Sequence, residues 1–221
     1  CEYVIDKFPS SNKRTYKMYS LFSIPGSCSM AVHIILNEAG QKVTLMPARD
    51  SNGQNTPELM KANPRGQVPT LIEGDKIMVE GGAIITSLCD KYNLDLMPKD
   101  GAARAQALQW LMVCNASLHP AYSRTNFIRR NGGSEELVKA SRAGAQAIWD
   151  QIETHLKANG PYLCGAKPTA GDVLLTVIGN WADKGVYTYG AKTKELFKAM
   201  IARPAYQKAL KDEAVEYKAA A

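Results

Sequence analysis

The feature that most constrains the fold is a change of sequence pattern around residues 95–101, where Pro98 and Gly101 stand. Before it, short apolar runs alternate with turn residues. After it, alanine, leucine, lysine and glutamate recur at helical spacing with hardly any strand signal. The pattern predicts an extension outside the fold over residues 1–17, a small α/β domain over 18–94, a linker over 95–101 and an all-helical domain over 102–221.

The order expected in the first domain is β-α-β-α-β-β-α. Thr56-Pro57-Glu58 is typical of a helix start, with a hydroxyl cap, proline and then an acid. Gly74-Asp75 predicts a hairpin turn. Strands are expected over residues 17–22, 42–46, 68–72 and 76–79, and helices from 28 to near 40, from 57, and over 83–92, 102 to about 122, 134–157, 169 to about 184, 192–202 and 204–212.

Composition excludes several classes of protein. The 221 residues are 45% hydrophobic and include no run of about 18 apolar residues, which argues for a packed core and against a membrane span. The formal net charge is +6, but acidic and basic residues are interspersed. A basic patch with interleaved aromatic residues is missing, so we expect no nucleic-acid partner and only a mild attraction for small anions.

The five cysteines form neither a C-x-x-C pair nor a cluster with histidine at zinc spacing. We therefore expect no metal and no disulfide framework. Residues 1–17 lack the apolar stretch of a signal peptide. A reducing compartment, and hence a cytoplasmic location, follows as an expectation.

Cys28 follows a predicted strand and a Pro25-Gly26 turn and opens a predicted helix. Free backbone N–H groups and the helix dipole at that position favour a thiolate and lower the pKa of the thiol. The hydroxyl groups of Ser27 and Ser29 are candidate donors to the sulfur. The alternative is a cysteine that only packs in the first helical turn.

Two further stretches have the chemistry of a ligand site. Val68 precedes Pro69 and is therefore extended, so its backbone suits a peptide-like ligand, although an ordinary turn is the alternative. Glu80-Gly81-Gly82 opens another helix, where free N–H groups suit a carboxylate and the Glu80 carboxylate suits an ammonium group. A ligand with both groups on one carbon is an amino acid; an acid that merely favours a helix start is the alternative.

Together these stretches resemble bacterial beta-class glutathione S-transferases. The resemblance runs from about residue 18 to the C-terminus and rests on residues 22–34, 63–71, 79–84, 110–111, 117–119, 163–165, 169–172 and 203–210. It implies an α/β thioredoxin-like N-terminal domain with a cis Pro69, an all-α C-terminal domain, and a homodimer. It also implies glutathione as co-substrate and a small hydrophobic electrophile as the second partner.

The resemblance also assigns roles to residues. It implies that Cys28 lies against the glutathione sulfur, with a mixed disulfide as a variant, and that His119 approaches the sulfur or the second substrate. With the hydroxyl argument for Ser29, the expected sets are Cys28, His119 and Ser29 for catalysis; Gln67, Val68, Pro69, Glu80, Gly81 and Ser117 for glutathione; and Trp181 and Ser23 for the hydrophobic site.

The sequence departs from the family pattern at two positions near the expected site. The family usually has tyrosine at Ser23 and often a basic residue at Pro120. The expected function is transfer or exchange of glutathione with small hydrophobic electrophiles or disulfides. Ser23 and Pro120 favour the alternative, a binding module for a hydrophobic ligand or a protein partner with little turnover. Thr169-x-x-Asp172 is interpreted as a helix cap, and His33 as a packing residue.

Overall fold

The computed structural model describes residues 19–181 and 185–220, so the extension expected over residues 1–17 lies outside it. These residues include four strands: β1 (Tyr19–Ser23), β2 (Val43–Pro47), β3 (Thr70–Glu73) and β4 (Lys76–Val79). They form a mixed sheet of order β2-β1-β3-β4. β1 runs parallel to β2 and antiparallel to β3, and β3 and β4 form the predicted hairpin.

Three helices accompany this sheet: α1 (Cys28–Glu38), α2 (Pro57–Ala62) and α3 (Gly81–Lys91). α1 is the crossover that a parallel β1–β2 pair requires. Successive side chains of a strand point to opposite faces. Tyr19 and Leu21 therefore join the main core with α1 and α3, whereas Phe22 packs against Leu59 of α2. This arrangement confirms the expected thioredoxin-like domain.

The rest of the described chain is helical, as predicted. Its elements are α4 (Gly101–Met112), a π-helical segment (Val113–Leu118), α5 (His119–Arg130), α6 (Glu135–Asn159), α7 (Ala170–Gly179), α8 (Ala191–Ile201) and α9 (Pro204–Asp212). Every residue of α7 is buried, and α7 packs against α1, α4 and α8. It therefore joins the helical part of the molecule to the sheet. No described helix is both long and apolar enough to cross a membrane.

The predicted cap at Thr169 and Asp172 begins α7. The Asp172 carboxylate is fully buried and accepts the Thr169 N–H at 2.7 Å, the Thr169 hydroxyl at 2.9 Å and the Leu163 N–H at 2.9 Å. These bonds satisfy donors that the helix start would otherwise leave unpaired. The helix ends at Gly179, earlier than predicted, and residues 182–184 lie outside the described range.

The prediction that the helix from residue 102 ends near residue 122 is wrong, because the helix is longer. The segment from α4 to α5 is continuous to Arg130 because a π-helical turn absorbs the proline. The His119 N–H donates to the Cys114 carbonyl, five residues earlier, so the hydrogen-bond pattern has already shifted where Pro120, which has no N–H, enters α5. Gly132, at φ +73°, follows the actual end.

His33 has the packing role that the sequence suggested. Its Nδ1 lies 2.8 Å from Oε1 of the buried Glu213, just after α9. The other carboxylate oxygen of Glu213 accepts the Gly26 N–H at 2.9 Å. The C-terminal region is thereby joined to the turn that precedes Cys28.

Candidate functional site

A cleft of about 570 Å³ lies between the sheet-containing part and the α4–α5 segment. We define its sheet wall as Ile24, Ser27, Cys28, Arg49, Asn63, Arg65, Gly66, Gln67, Val68, Pro69, Val79, Glu80 and Gly81, and its helical wall as Asn115, His119, Pro120 and Ser123. The structure thus brings together most of the residues that the sequence selected. Among the described residues, no group of three or more histidine, cysteine or acidic side chains is arranged to hold a metal.

Cys28 is the first residue of α1, and its thiol donates to the Val68 carbonyl at 3.3 Å. Only 8% of the residue is exposed. Burial raises the pKa of the Cys28 thiol to about 11, although the backbone N–H groups of Cys28 and Ser29 and the Ser27 hydroxyl act in the opposite direction. The expected lowering of this pKa is therefore wrong for this structure, because desolvation outweighs the helix start. Cys28 is a neutral S–H donor at neutral pH.

Ser29 does not have the role expected for it. Its hydroxyl is fully buried, donates to the Ile24 carbonyl at 3.3 Å and accepts the Ile24 N–H at 3.2 Å. Both bonds close the turn between β1 and α1. The hydroxyl that reaches the Cys28 thiol is that of Ser27, which also caps α1.

The loop before β3 presents the Val68 backbone to the cleft. The Val68–Pro69 peptide bond is cis, as expected from the resemblance. The Asn63 amide donates to the Gln67 carbonyl and to the Thr70 hydroxyl, both at 3.1 Å, and so holds the loop from inside. Gly66 has φ +62°, and a Cβ there would lie 2.0 Å from Asn55 Nδ2. Only glycine fits this turn.

The start of α3 forms the polar end of the sheet wall. Glu80 precedes the helix at φ +71°, an uncommon conformation for a residue with a side chain, and its side chain does not cap the helix. The first N–H groups of α3 are therefore left for a ligand. Arg65 Nη2 lies 2.6 Å from Glu80 Oε1, and Arg49 also lines the cleft. Two cations, one carboxylate and a helix start suit a zwitterionic ligand that carries carboxylates.

Residues four apart on one helix face form the helical wall: Asn115, His119 and Ser123. Burial lowers the pKa of His119, so its imidazole is neutral at neutral pH and has one nitrogen free to accept a proton. The Trp181 ring packs edge-on against the His119 ring, with 4.8 Å between centroids. His119 is thus held at the cleft by an aromatic neighbour.

Besides Ser29, three predicted site residues lie outside the cleft lining. Ser117 is exposed, half a helical turn from the wall formed by Asn115 and His119. Ser23 is buried, and its carbonyl accepts the Ala48 N–H. Trp181 lies behind His119 and donates its indole N–H to the Gly26 carbonyl at 2.8 Å. It supports the wall instead of lining it.

Sequence reasoning missed Asn115, Ser123 and Arg65. The first two stand four positions before and after His119, so a helical projection centred on His119 predicts both. Arg65 follows Pro64 in a loop, and no local pattern indicates that its side chain reaches Glu80, fifteen positions along the chain.

Comparisons with known proteins agree with this architecture. Residues 21–96 match the family model described as the glutathione S-transferase N-terminal domain. The chain is 31% identical over 170 residues to glutathione S-transferase GstA of Escherichia coli O157:H7, covering 73% of this chain and 81% of that protein.

Solved structures extend the similarity over both parts of the fold. A glutathione S-transferase from Xylella fastidiosa aligns with a TM-score of 0.77 and 26% identity, over 90% of this chain and 100% of the other. A glutathione transferase homologue from Sulfitobacter, solved with bound glutathione, aligns with a TM-score of 0.75 and 26% identity, over 90% and 99% of the two chains. The chain belongs to the glutathione S-transferase family.

Proposed function

We propose that the chain is a glutathione transferase of the beta class that binds glutathione in this cleft and joins its sulfur to small hydrophobic electrophiles. The observation that carries the proposal is the arrangement around one cavity of the Cys28 thiol, the Val68 backbone and the polar end at Glu80 and α3. Family membership and the Sulfitobacter homologue solved with glutathione supply the ligand.

Glutathione is placed by matching its charges to the sheet wall. Its γ-glutamyl carboxylate faces the N–H groups of Gly81 and the residue after it, and its ammonium group faces Glu80. Its cysteinyl unit pairs with the Val68 backbone, beside Gln67 and Pro69. Arg49, which lines the cleft and has no partner assigned in this binding mode, is the cation for the glycine carboxylate.

The neutral forms of Cys28 and His119 suit two different roles in conjugation. His119 accepts the proton of the glutathione thiol. The Cys28 S–H, which donates to the Val68 carbonyl in the absence of ligand, donates instead to the thiolate that remains. The thiolate then forms a carbon–sulfur bond with the electrophile, whose leaving group departs with its bonding electron pair. Conjugation uses Cys28 in its neutral form, whereas disulfide exchange requires the Cys28 thiolate, which the raised pKa disfavours at neutral pH.

The second substrate is assigned to the apolar part of the cleft. Ile24 and Pro120 face it from the two walls, and Pro120 replaces the basic residue that is frequent in the family. We infer that Trp181 acts on this subsite through the His119 ring, and that Ser23 acts through the turn to Ile24.

Intact-protein mass spectrometry tests the placement of glutathione against Cys28. The protein is incubated with oxidised glutathione at pH 9 and compared with Cys28→Ala and with the matched control Cys164→Ala, which removes a half-buried thiol outside the cleft. One reducible glutathione adduct in the wild type and Cys164→Ala, lost in Cys28→Ala, is expected. An adduct that persists in Cys28→Ala contradicts the placement. Glutathione binding without turnover on a panel of electrophiles selects the binding-module alternative.

We also propose a homodimer, supported by an apolar face beside the cleft. Met78 on β4 and Met112 at the end of α4 are each 38% exposed, and a Cβ at Gly82 would lie 2.5 Å from Met112 Cε. Met112 therefore flanks the start of α3, and Met78 lies near Ser87 and Leu88 farther along the same helix, where a second copy would cover both methionines. Light scattering tests this: Met112→Glu is expected to halve the molecular mass, whereas Leu137→Glu on the distant α6 leaves it unchanged. A monomeric wild type contradicts the proposal.

The described thiols also bear on location. Cys28, Cys89, Cys114 and Cys164 are all unpaired with one another. We propose a reducing compartment such as the cytoplasm, which the thiols favour.

A further inference from the structure

A second, much smaller cavity of about 70 Å³ lies on the other side of Trp181 from the cleft. The Trp181 ring packs against His119 on the cleft side and against Tyr122 on the side of the small cavity. Arg129 of α5 and Arg142 of α6 both line this cavity. Neither the proposed transferase chemistry nor the glutathione site uses these arginines.

The two arginines lack counter-charges among the described residues. Neither forms an ion pair there, and no aspartate or glutamate stands three or four positions from either of them on its helix. Arg142 Nε is buried and has no hydrogen-bond partner. A buried donor without an acceptor is costly, and the acceptor that suits it is an anion.

The other described residues of the walls add aromatic surface and no acid. The Tyr122 and Tyr187 rings lie with centroids 4.7 Å apart, and Trp181 packs against Tyr122 at 5.9 Å. The Tyr122 hydroxyl is engaged elsewhere, accepting the Trp149 indole N–H at 3.0 Å. The Thr125 hydroxyl donates to the Ala121 carbonyl at 2.9 Å. The cavity therefore presents guanidinium donors beside aromatic rings.

We propose that this cavity is an oxyanion site, separate from the glutathione cleft, that binds one carboxylate, sulfonate or phosphate group between Arg129 and Arg142. A planar guanidinium pairs with two oxygens of such a group, which matches the orphaned donor of Arg142. The small volume fits the acid group alone. A free inorganic anion fills the site completely, whereas an organic acid places its acid group there and leaves the rest of the molecule outside the cavity.

Isothermal titration calorimetry at low ionic strength tests the site with sodium sulfate and, separately, sodium benzoate. The variants are Arg129→Gln and Arg142→Gln. Arg130→Gln is the matched control, because it removes the same charge from the neighbouring position of α5 and Arg130 does not line the cavity. Saturable binding is expected in the wild type and in Arg130→Gln, with affinity at least about tenfold weaker in the other two variants. Tighter binding of benzoate indicates an organic acid, and equal or tighter binding of sulfate indicates a free anion.

Several outcomes overturn the proposal. One is the absence of saturable binding of either anion in the wild type. Another is equal weakening by Arg130→Gln, which indicates unspecific charge. Arg142→Lys keeps the charge but lacks the planar guanidinium that donates two parallel hydrogen bonds, so it is also expected to weaken binding. This variant replaces Arg142→Gln if Arg142→Gln does not fold. Glutathione titrated into the same samples reports separately on the cleft, so failure at one site is distinguishable from failure at the other.

Discussion

The two walls of the cleft differ in whether they present mainly backbone groups or mainly side chains to a ligand. The sheet wall presents mainly backbone: the Val68 peptide, the first N–H groups of α3 and the helix start that carries Cys28. The helical wall presents side chains, Asn115, His119 and Ser123, from one face of a helix. Backbone groups are fixed by the fold, so the sheet wall suits an unchanging ligand. Side chains vary freely with sequence, so the helical wall is where the second substrate and the chemistry are set.

The largest expected effect is on the helical wall, from His119→Gln. Losing a general base lowers turnover about 10²–10⁴-fold, while glutathione affinity, which depends mainly on the sheet wall, stays within about twofold. The measurements are steady-state kinetics with a chlorodinitrobenzene electrophile and calorimetry with glutathione. Ser117→Ala, on the opposite helix face, is the control. A fall in glutathione affinity that accounts for the whole loss would erase the distinction between the walls.

The pH dependence of activity tests the same role of His119. Because burial lowers the pKa of His119 below its usual value of about 6.5, the wild type is expected to lose activity only as the pH falls below about 6.5. The neutral imidazole is the active form, so activity at higher pH is unaffected by this group. His119→Gln should lack this acidic limb. If His119→Gln still loses activity at acidic pH, that loss belongs to the titration of another group.

Asp172→Ala removes the support that α7 gives to both walls. The N–H groups of Leu163 and Thr169 lose their acceptor in a buried position, at a cost of about 1–3 kcal/mol each. We expect the free energy of unfolding to fall by about 3 kcal/mol in urea titrations. Asp150→Ala, on the exposed face of α6, should change it by less than about 1 kcal/mol. Equal effects would mean that the cap contributes little.

On the sheet wall, Glu80→Gln removes a charged contact with the ligand ammonium group. Hydrogen bonds to charged groups contribute about 1.5–3 kcal/mol, so glutathione affinity is expected to fall about tenfold to a hundredfold. Glu58→Gln on the exposed side of α2 controls for the loss of charge. An unchanged affinity would show that Glu80 serves only its ion pair with Arg65.

The smallest expected effect distinguishes two faces of one helix. Asn115 lines the cleft beside Gly81, whereas Ser117 faces solvent. Asn115→Ala should weaken glutathione binding about threefold to tenfold, and Ser117→Ala should leave it unchanged. The reverse order would restore the role that the sequence resemblance gave to Ser117.

The difference between the walls also explains what the sequence could predict. Cys28, Val68, Glu80 and Gly81 were found because helix starts and residues before proline carry local signals that do not depend on distant contacts. Ser117 is predicted at the site because it is carried over from a family motif without a helical projection from His119, and the structure places it outside the cleft lining. The sign of the Cys28 pKa shift was missed because burial is a property of the packed protein and not of its neighbours in sequence.

We expect the Cys28 S–H to stabilise the thiolate of bound glutathione. The pKa of the glutathione thiol in the complex measures this effect most directly. Ultraviolet thiolate absorbance is titrated against pH for glutathione bound to the wild type, to Cys28→Ala and to the control Cys164→Ala. We predict a pKa clearly below the value of about 8.5 for a free cysteine, which rises by about 1–2 units in Cys28→Ala and not in Cys164→Ala. A bound thiol whose pKa is that of free glutathione, or one that Cys28→Ala leaves unchanged, would contradict the claim.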